Sequence, residues 1–216
     1  MTKRKIAVTT GTRAEYGLLR QILDEIKISK KLELLLIVTG SHFSKKHGMT
    51  VNEIKADGHK ITAKVDMIPK INSEFESTKI IGNAIISFSK IFKKLKPDMN
   101  LILGDRDEML ASAIAAYHMN IPNAHIHGGD KSGGLDEYTR HAITKLSNIH
   151  FAATKKSAKR ILQMGEKPEF IFHTGSPSID EILKNKITKK TKLEKKYKIK
   201  ITGNEILLLQ HPVTTE

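Results

Sequence analysis

Apolar runs of strand length alternate with segments of helical periodicity along nearly the whole chain. A strand, helix, strand, helix order of that kind is satisfied by a parallel sheet with helices on its faces. The run at 5–10 is broken by Gly11, and behind it Leu18, Leu19, Ile22, Leu23 and Ile26 recur at helical spacing across 16–28. The same alternation predicts strands at 32–38, 61–67, 99–103, 121–126, 149–153 and 170–173. Helices are predicted at 50–56, 74–95, 138–146 and 155–164, with an Ala-rich one ending at His118 and another starting at Ser178. Gly58 and Pro97 stand where a helix has to stop. A last apolar run at 205–210 predicts one more strand, with no helix after it. At roughly 150 residues per domain, 216 residues make one domain and a fraction. The expected division is a first domain at 1–183, a Lys-rich linker at 184–204, and the opening strand of a second, truncated domain at 205–216.

Composition narrows the function classes. With 39% hydrophobic and 28% charged residues the chain has ordinary globular usage and enough apolar mass for a core. The absence of Cys removes disulfide scaffolds, thiolate metal sites and Cys nucleophiles. No apolar run approaches the length of a membrane span, and the basic start is followed by only Ile6, Ala7 and Val8 before Thr9, too short for a secretory core. A cytoplasmic protein without a membrane partner is expected. The formal charge of +14 raises the possibility of nucleic-acid binding, but more than half of it lies in nine Lys set against one Glu between 184 and 200. That segment has no Arg and one aromatic, Tyr197, whereas single-strand binders interleave rings and duplex readers favour Arg forks. A solvated linker or helix face is expected, and no nucleic-acid partner.

In an open parallel sheet ligands bind outside the carboxyl ends of the strands, so the residues just after each strand matter most. Gly11-Thr12-Arg13-Ala14-Glu15-Tyr16-Gly17 is a tight turn offering backbone N–H groups and a guanidinium at a helix start, a setting that suits a phosphate. It has neither dinucleotide nor P-loop spacing. The alternative is a glycine turn with Arg13 in a surface ion pair. Gly104-Asp105-Arg106-Asp107-Glu108 puts charges directly behind a buried strand, with helix capping as the alternative use of Asp105. The third segment, 125–137, brings His125, His127, Asp130, Asp136 and Glu137 together around four glycines. Such a cluster can trade protons near neutrality. Metal ligation is a competitor whose spacing matches no established pattern, and a polar cap over the next helix is another.

These motifs, together with Arg140-His141-Ala142-Ile143-Thr144-Lys145 and Gln210-His211-Pro212-Val213-Thr214-Thr215, resemble the hydrolysing UDP-N-acetylglucosamine 2-epimerases of sialic-acid and legionaminic-acid biosynthesis. The match runs in order from the first strand to the last residue. It implies an α/β fold with a Rossmann-like, doubly wound parallel sheet, the first half of a glycosyltransferase-B-like two-domain architecture with its active site in the cleft. It also implies elimination of UDP across C1 and C2 of UDP-N-acetylglucosamine to a 2-acetamidoglucal, then hydration to N-acetylmannosamine, without metal or cofactor.

By the same resemblance Asp105 and Asp136 are the acid/base carboxylates, and Arg13 and Arg106 contact the nucleotide. His127, which falls where some members carry Glu and others His, takes part in the proton transfer, and His211 approaches the diphosphate or sugar from the second domain, so that both join the implied catalytic set. Gly11, Tyr16, Gly128 and Gly129 complete the implied substrate-binding set. Asp107 replaces an aromatic residue common in the family, and Asp130 stands where Glu is usual. The family's second domain carries a Ser-rich turn and a Glu that hold uridine diphosphate. The expectation is therefore a split or truncated member whose missing half comes from another polypeptide, or a remnant without turnover, with negligible turnover alone and with a homo-oligomer or a complementing second-domain chain as partner. The rival readings are a non-catalytic nucleotide-sugar binding module and an epimerase for UDP-N,N′-diacetylbacillosamine.

Overall fold

The computed structural model describes residues 2–68, 73–184 and 187–209. The chain divides into two compact units, Met1–Glu181 and Ile182–Glu216. The first holds a seven-stranded, all-parallel sheet in the order β3-β2-β1-β4-β5-β6-β7. Its strands are β1 (Arg4–Thr10), β2 (Leu32–Val38), β3 (Ile61–Lys64), β4 (Met99–Leu103), β5 (Asn123–Ile126), β6 (Ile149–Ala152) and β7 (Ile171–His173). Strand order reverses between β1 and β4, which opens a crevice at their carboxyl ends.

Helices cover both faces because the strands carry apolar side chains on both. From β1, Ile6 and Val8 enter one core with Leu19, Leu23 and Ile26 of α1 (Arg13–Ile28) and Ile54 of α2 (Val51–Ala56). Ala7 enters the other, with Phe88 and Phe92 of α3 (Glu74–Leu95). Full burial of such a side chain stabilises by about 1.5–3 kcal/mol. The Ala111, Ala115 and Ala116 side chains of α4 (Asp107–His118) pack in the same core as α3, where small residues permit close approach. Helix α3 starts at Ser73, whose hydroxyl accepts the Glu76 N–H at 3.2 Å, and ends at Lys96 in the left-handed conformation before Pro97.

A polar layer at the middle strands fixes their register. Asn100 Nδ2 donates to Asn123 Oδ1 at 2.9 Å, and Asn123 Nδ2 donates to the carbonyls of Ala113 and Leu146, each at 3.0 Å. Both amides are fully buried, so any one-residue slip would strand them unpaired. The remaining helices of this unit are α5 (Leu135–Lys145), α6 (Lys155–Gln163) and most of α7 (Pro177–Lys184).

In the second unit the Lys-rich segment, expected as a solvated linker or helix face, carries a helix, α8 (Lys190–Tyr197), whereas the strand expected from 205 is not formed by the described residues 205–209. A strand is held by its ladder, and these residues have no hydrogen-bonded neighbour strand among the described residues; Ile206 and Leu207 are each 93% exposed. Among the described residues no helix is long and apolar enough to cross a membrane.

Candidate active site at the carboxyl edge of the sheet

The reversal between β1 and β4 brings the 11–17 and 104–108 segments side by side. Helix α1 begins at Arg13 because Thr12 caps it: the Thr12 hydroxyl accepts the Glu15 N–H at 3.4 Å, and the Glu15 carboxylate accepts the N–H groups of Thr12 at 3.1 Å and Gly11 at 2.8 Å. Those two N–H groups, expected to face a phosphate, are thus occupied by Glu15. Glu15 and Glu108 are both buried and share Arg106, whose Nε lies 3.2 Å from Glu108 Oε2 and 3.7 Å from Glu15 Oε1. Burial, reinforced by the neighbouring Glu108 charge, raises the Glu15 carboxyl to about 7. The Arg106 side chain remains half exposed at a cavity of about 930 Å³ that Thr12, Arg13, Ser41, Lys46 and His47 also line. Cations and hydroxyls around a helix start suit an anionic ligand.

Glycine is required at this floor. A Cβ on Gly40, whose φ is +59°, would sit 2.4 Å from Glu108 Oε1 and 2.7 Å from the Gly11 carbonyl oxygen. Gly40→Ala is therefore expected to destabilise the chain by about 2 kcal/mol in urea denaturation and to push Glu108 off Arg106. A midpoint equal to the wild type's would refute the close packing.

Behind β4, Asp105 is held by Arg140 of α5, whose guanidinium donates to the Asp105 carboxylate, to the Asp130 carbonyl at 2.9 Å and to Ser132 Oγ at 3.0 Å. Arg140 is buried. Helix α5 starts three residues before the predicted 138, after Gly133 and Gly134 in positive-φ conformations, so Asp136 and Glu137 occupy its first turn. Asp136 is exposed and lies near enough to Asp107 to contribute to raising that carboxyl, an effect led by desolvation and Glu108. Behind β5, His125 is fully buried between the Gly104 carbonyl, 2.7 Å from Nε2, and Thr144 Oγ1, 3.2 Å from Nδ1. Burial lowers its pKa to about 4, which makes it a neutral tie between β4, β5 and α5.

His127 is placed differently. Its backbone is left-handed, with φ +65°, and its half-buried ring reaches Ser176 Oγ, 3.1 Å from Nε2, in the turn after β7. Gly128 and Gly129 make room for the packing around it. A Cβ on Gly128 would lie 2.9 Å from His125 Nδ1, and one on Gly129 2.5 Å from the Ser157 carbonyl oxygen.

The structure thus gathers Asp105, Arg106, Asp136 and His127 at one edge of the sheet, with Gly11, Gly128 and Gly129 as its spacers. Arg13 forms the exposed ion pair that was its alternative use, 3.3 Å from Glu53. A pair that exposed contributes little and can exchange for an anion. Tyr16, expected in the substrate-binding set, is placed in the core: its side chain is buried and its hydroxyl donates to Asp57 Oδ2 at 2.6 Å. Four residues into the helix, it shares the inward face of Leu19, Leu23 and Ile26. His211 lies outside the described residues. Two partners were missed: Arg140 as the anchor of Asp105, and Ser176 beside His127. The Gly175-Ser176-Pro177 turn also follows a strand, and that signal was available in the sequence.

Comparison with known proteins gives this geometry a family context. The family described as UDP-N-acetylglucosamine 2-epimerase matches residues 24–216. Over 214 residues the chain is 45% identical to the UDP-N,N'-diacetylbacillosamine 2-epimerase (hydrolyzing) of Legionella pneumophila, covering 99% of this chain and 56% of that protein. It is 36% identical to the UDP-N-acetylglucosamine 2-epimerase of Neisseria meningitidis over 213 residues, 99% of this chain and 55% of that one. The solved Neisseria meningitidis UDP-GlcNAc 2-epimerase bound to UDP-GlcNAc superposes with a TM-score of 0.74 at 24% identity, over 83% of this chain and 48% of that one. The chain spans about half the length of the curated relatives it matches.

Proposed function

The chain belongs to the UDP-N-acetylglucosamine 2-epimerase family, and from that premise we propose that it is the proton-transfer half of a hydrolysing 2-epimerase. One carboxylate, Asp105 or Asp136, removes the C2 proton of UDP-N-acetylglucosamine while the bond from C1 to the UDP oxygen breaks, giving UDP and a 2-acetamidoglucal. Water then adds at C1, and a proton delivered to C2 yields N-acetylmannosamine. Arg106 and Arg13 stabilise the charge developing on the departing diphosphate. The observation that carries the reading is Asp105 held by Arg140 at the strand-order reversal, beside the arginine-lined cavity. Proton abstraction needs a carboxylate held in place and loss of UDP needs cations beside the departing anion; the Arg140 pair supplies the position, while it lowers the basicity of Asp105.

The uridine-binding wall is expected in the half of the relatives' length that this chain does not span. The 45% identity to the Legionella enzyme favours a second reading, in which the sugar is UDP-N,N′-diacetylbacillosamine. Incubation of the chain and a complementing half with each UDP-sugar in heavy water tests both. Free UDP with deuterium at C2 is expected from one sugar, and the 216-residue chain alone is expected to release almost none. Asp105→Asn is expected to lower exchange by at least about 100-fold. An unchanged rate would remove Asp105 from the reaction, and steady UDP release by the isolated chain would overturn the two-half reading.

A further inference from the structure

His127 is held in a way that its neighbours in the sequence do not explain. A non-glycine residue in the left-handed region costs about 1–3 kcal/mol and persists only where the surroundings impose it. Here the His127 N–H donates to the Phe151 carbonyl of β6 at 3.1 Å, which ties the strained residue to the sheet and turns its ring toward the 174–178 turn. There Ser176 Oγ is 3.1 Å from Nε2 and 2.8 Å from Ser178 Oγ. On the other side of the ring Asp130 Oδ2 is 3.9 Å from Nδ1, and Asp130 is itself anchored because its Oδ1 accepts the Ser157 hydroxyl at the start of α6. His125 of β5, which the His127 charge reaches, is buried and neutral. Arg160 of α6 donates to the nearby Gly129 carbonyl.

We infer that Ser176, working with Asp130, is a positioning residue that fixes the tautomer of His127, with the proton on Nδ1 and the lone pair on Nε2. At 3.9 Å the Asp130 carboxylate makes no hydrogen bond to the ring, but its negative charge on the Nδ1 side favours the proton there, whereas the Ser176 hydroxyl, at hydrogen-bond distance, can donate to the Nε2 lone pair. Ser178 then donates to Ser176, leaving the Ser176 proton directed at the ring. Burial keeps the ring neutral near neutrality, so it carries one ring proton and the choice of nitrogen matters. Ser176 thereby presents the basic nitrogen of His127 on the α7 side of the site. This inference rests on the reading of His127 as a proton-transfer group only for its catalytic consequence. The tautomer itself is a property of the chain.

Nitrogen NMR of the 216-residue chain with labelled histidine tests it, with His127 assigned by its loss in His127→Gln. The expected spectrum has Nδ1 protonated and Nε2 bare. Ser176→Ala is expected to mix the tautomers and to raise the ring pKa by about 0.5, because the donor favouring the neutral ring is gone, and Ser176→Thr to restore both. A wild-type ring protonated on Nε2, or a tautomer and pKa untouched by Ser176→Ala, overturns the inference. With the complementing half, the same variant is expected to lower kcat while leaving KM unchanged. That measurement bears on His127 as a proton carrier, and the ring spectrum decides its positioning independently.

Discussion

Arg140→Met is expected to destabilise the chain by about 3–5 kcal/mol, read as a lowered midpoint in chemical denaturation. The guanidinium is buried and serves three acceptors: the Asp105 carboxylate, the Asp130 carbonyl and the Ser132 hydroxyl. Methionine preserves most of the apolar stem and removes all of those bonds. The Asp105 carboxylate, with a side chain only 19% exposed, is then left without its cation, on a segment that already carries Asp107 and Glu108. Loss of one partner of a buried pair costs more than loss of both, because the remaining charge is stranded. Asp105→Asn in the Arg140→Met background is therefore expected to recover about 2 kcal/mol. Additive single effects would show that Arg140 acts through the Asp130 loop and not through Asp105.

That pair also marks where the sequence stopped being readable. Arg140 and Asp105 are 35 positions apart, and Ser176 and His127 are 49 apart. Nothing local in either segment announces the contact; it exists because β4, β5, β6 and β7 lie in sequential order and deliver their following turns to one edge. The elements themselves were legible from periodicity, and the predicted 32–38, 74–95 and 99–103 coincide with β2, α3 and β4. Local errors have local causes. The start of α1 at Arg13 was written in the Thr12-Arg13-Ala14-Glu15 spacing of a capping box, and reading it would have put Tyr16 on the inward face. The apolar pattern of 205–209 was real, but a strand also needs a neighbour, and pattern alone cannot supply one.

Stability is expected to peak near pH 6–7 and to fall by at least about 2 kcal/mol between pH 7.5 and pH 4.5, through two opposing sets of buried groups. His42, set between the hydroxyls of Thr10 and Thr50, and His125 are fully buried, and burial lowers both to about 4 from the ordinary 6.5. A lowered basic group favours the fold above its unfolded pKa, and that contribution is lost as pH falls through the folded value. Over this interval the two histidines together withdraw about 5 kcal/mol. His59 and His150, also lowered by burial, add in the same direction.

Glu15 works against them. Its carboxyl is raised from 4.5 to about 7, so its contribution is complete below 4.5 and is lost as pH rises through 7. On acidification it returns about 3 kcal/mol. Glu15→Gln removes that compensation while keeping an oxygen for the Gly11 and Thr12 N–H groups, and is expected to deepen the acid loss to at least about 5 kcal/mol. Urea midpoints at pH 7.5, 6.5 and 4.5 for the two proteins distinguish the cases. A wild type as stable at pH 4.5 as at 7.5, or a variant with an unchanged slope, would mean that the buried carboxylate beneath Arg106 carries no proton near neutrality.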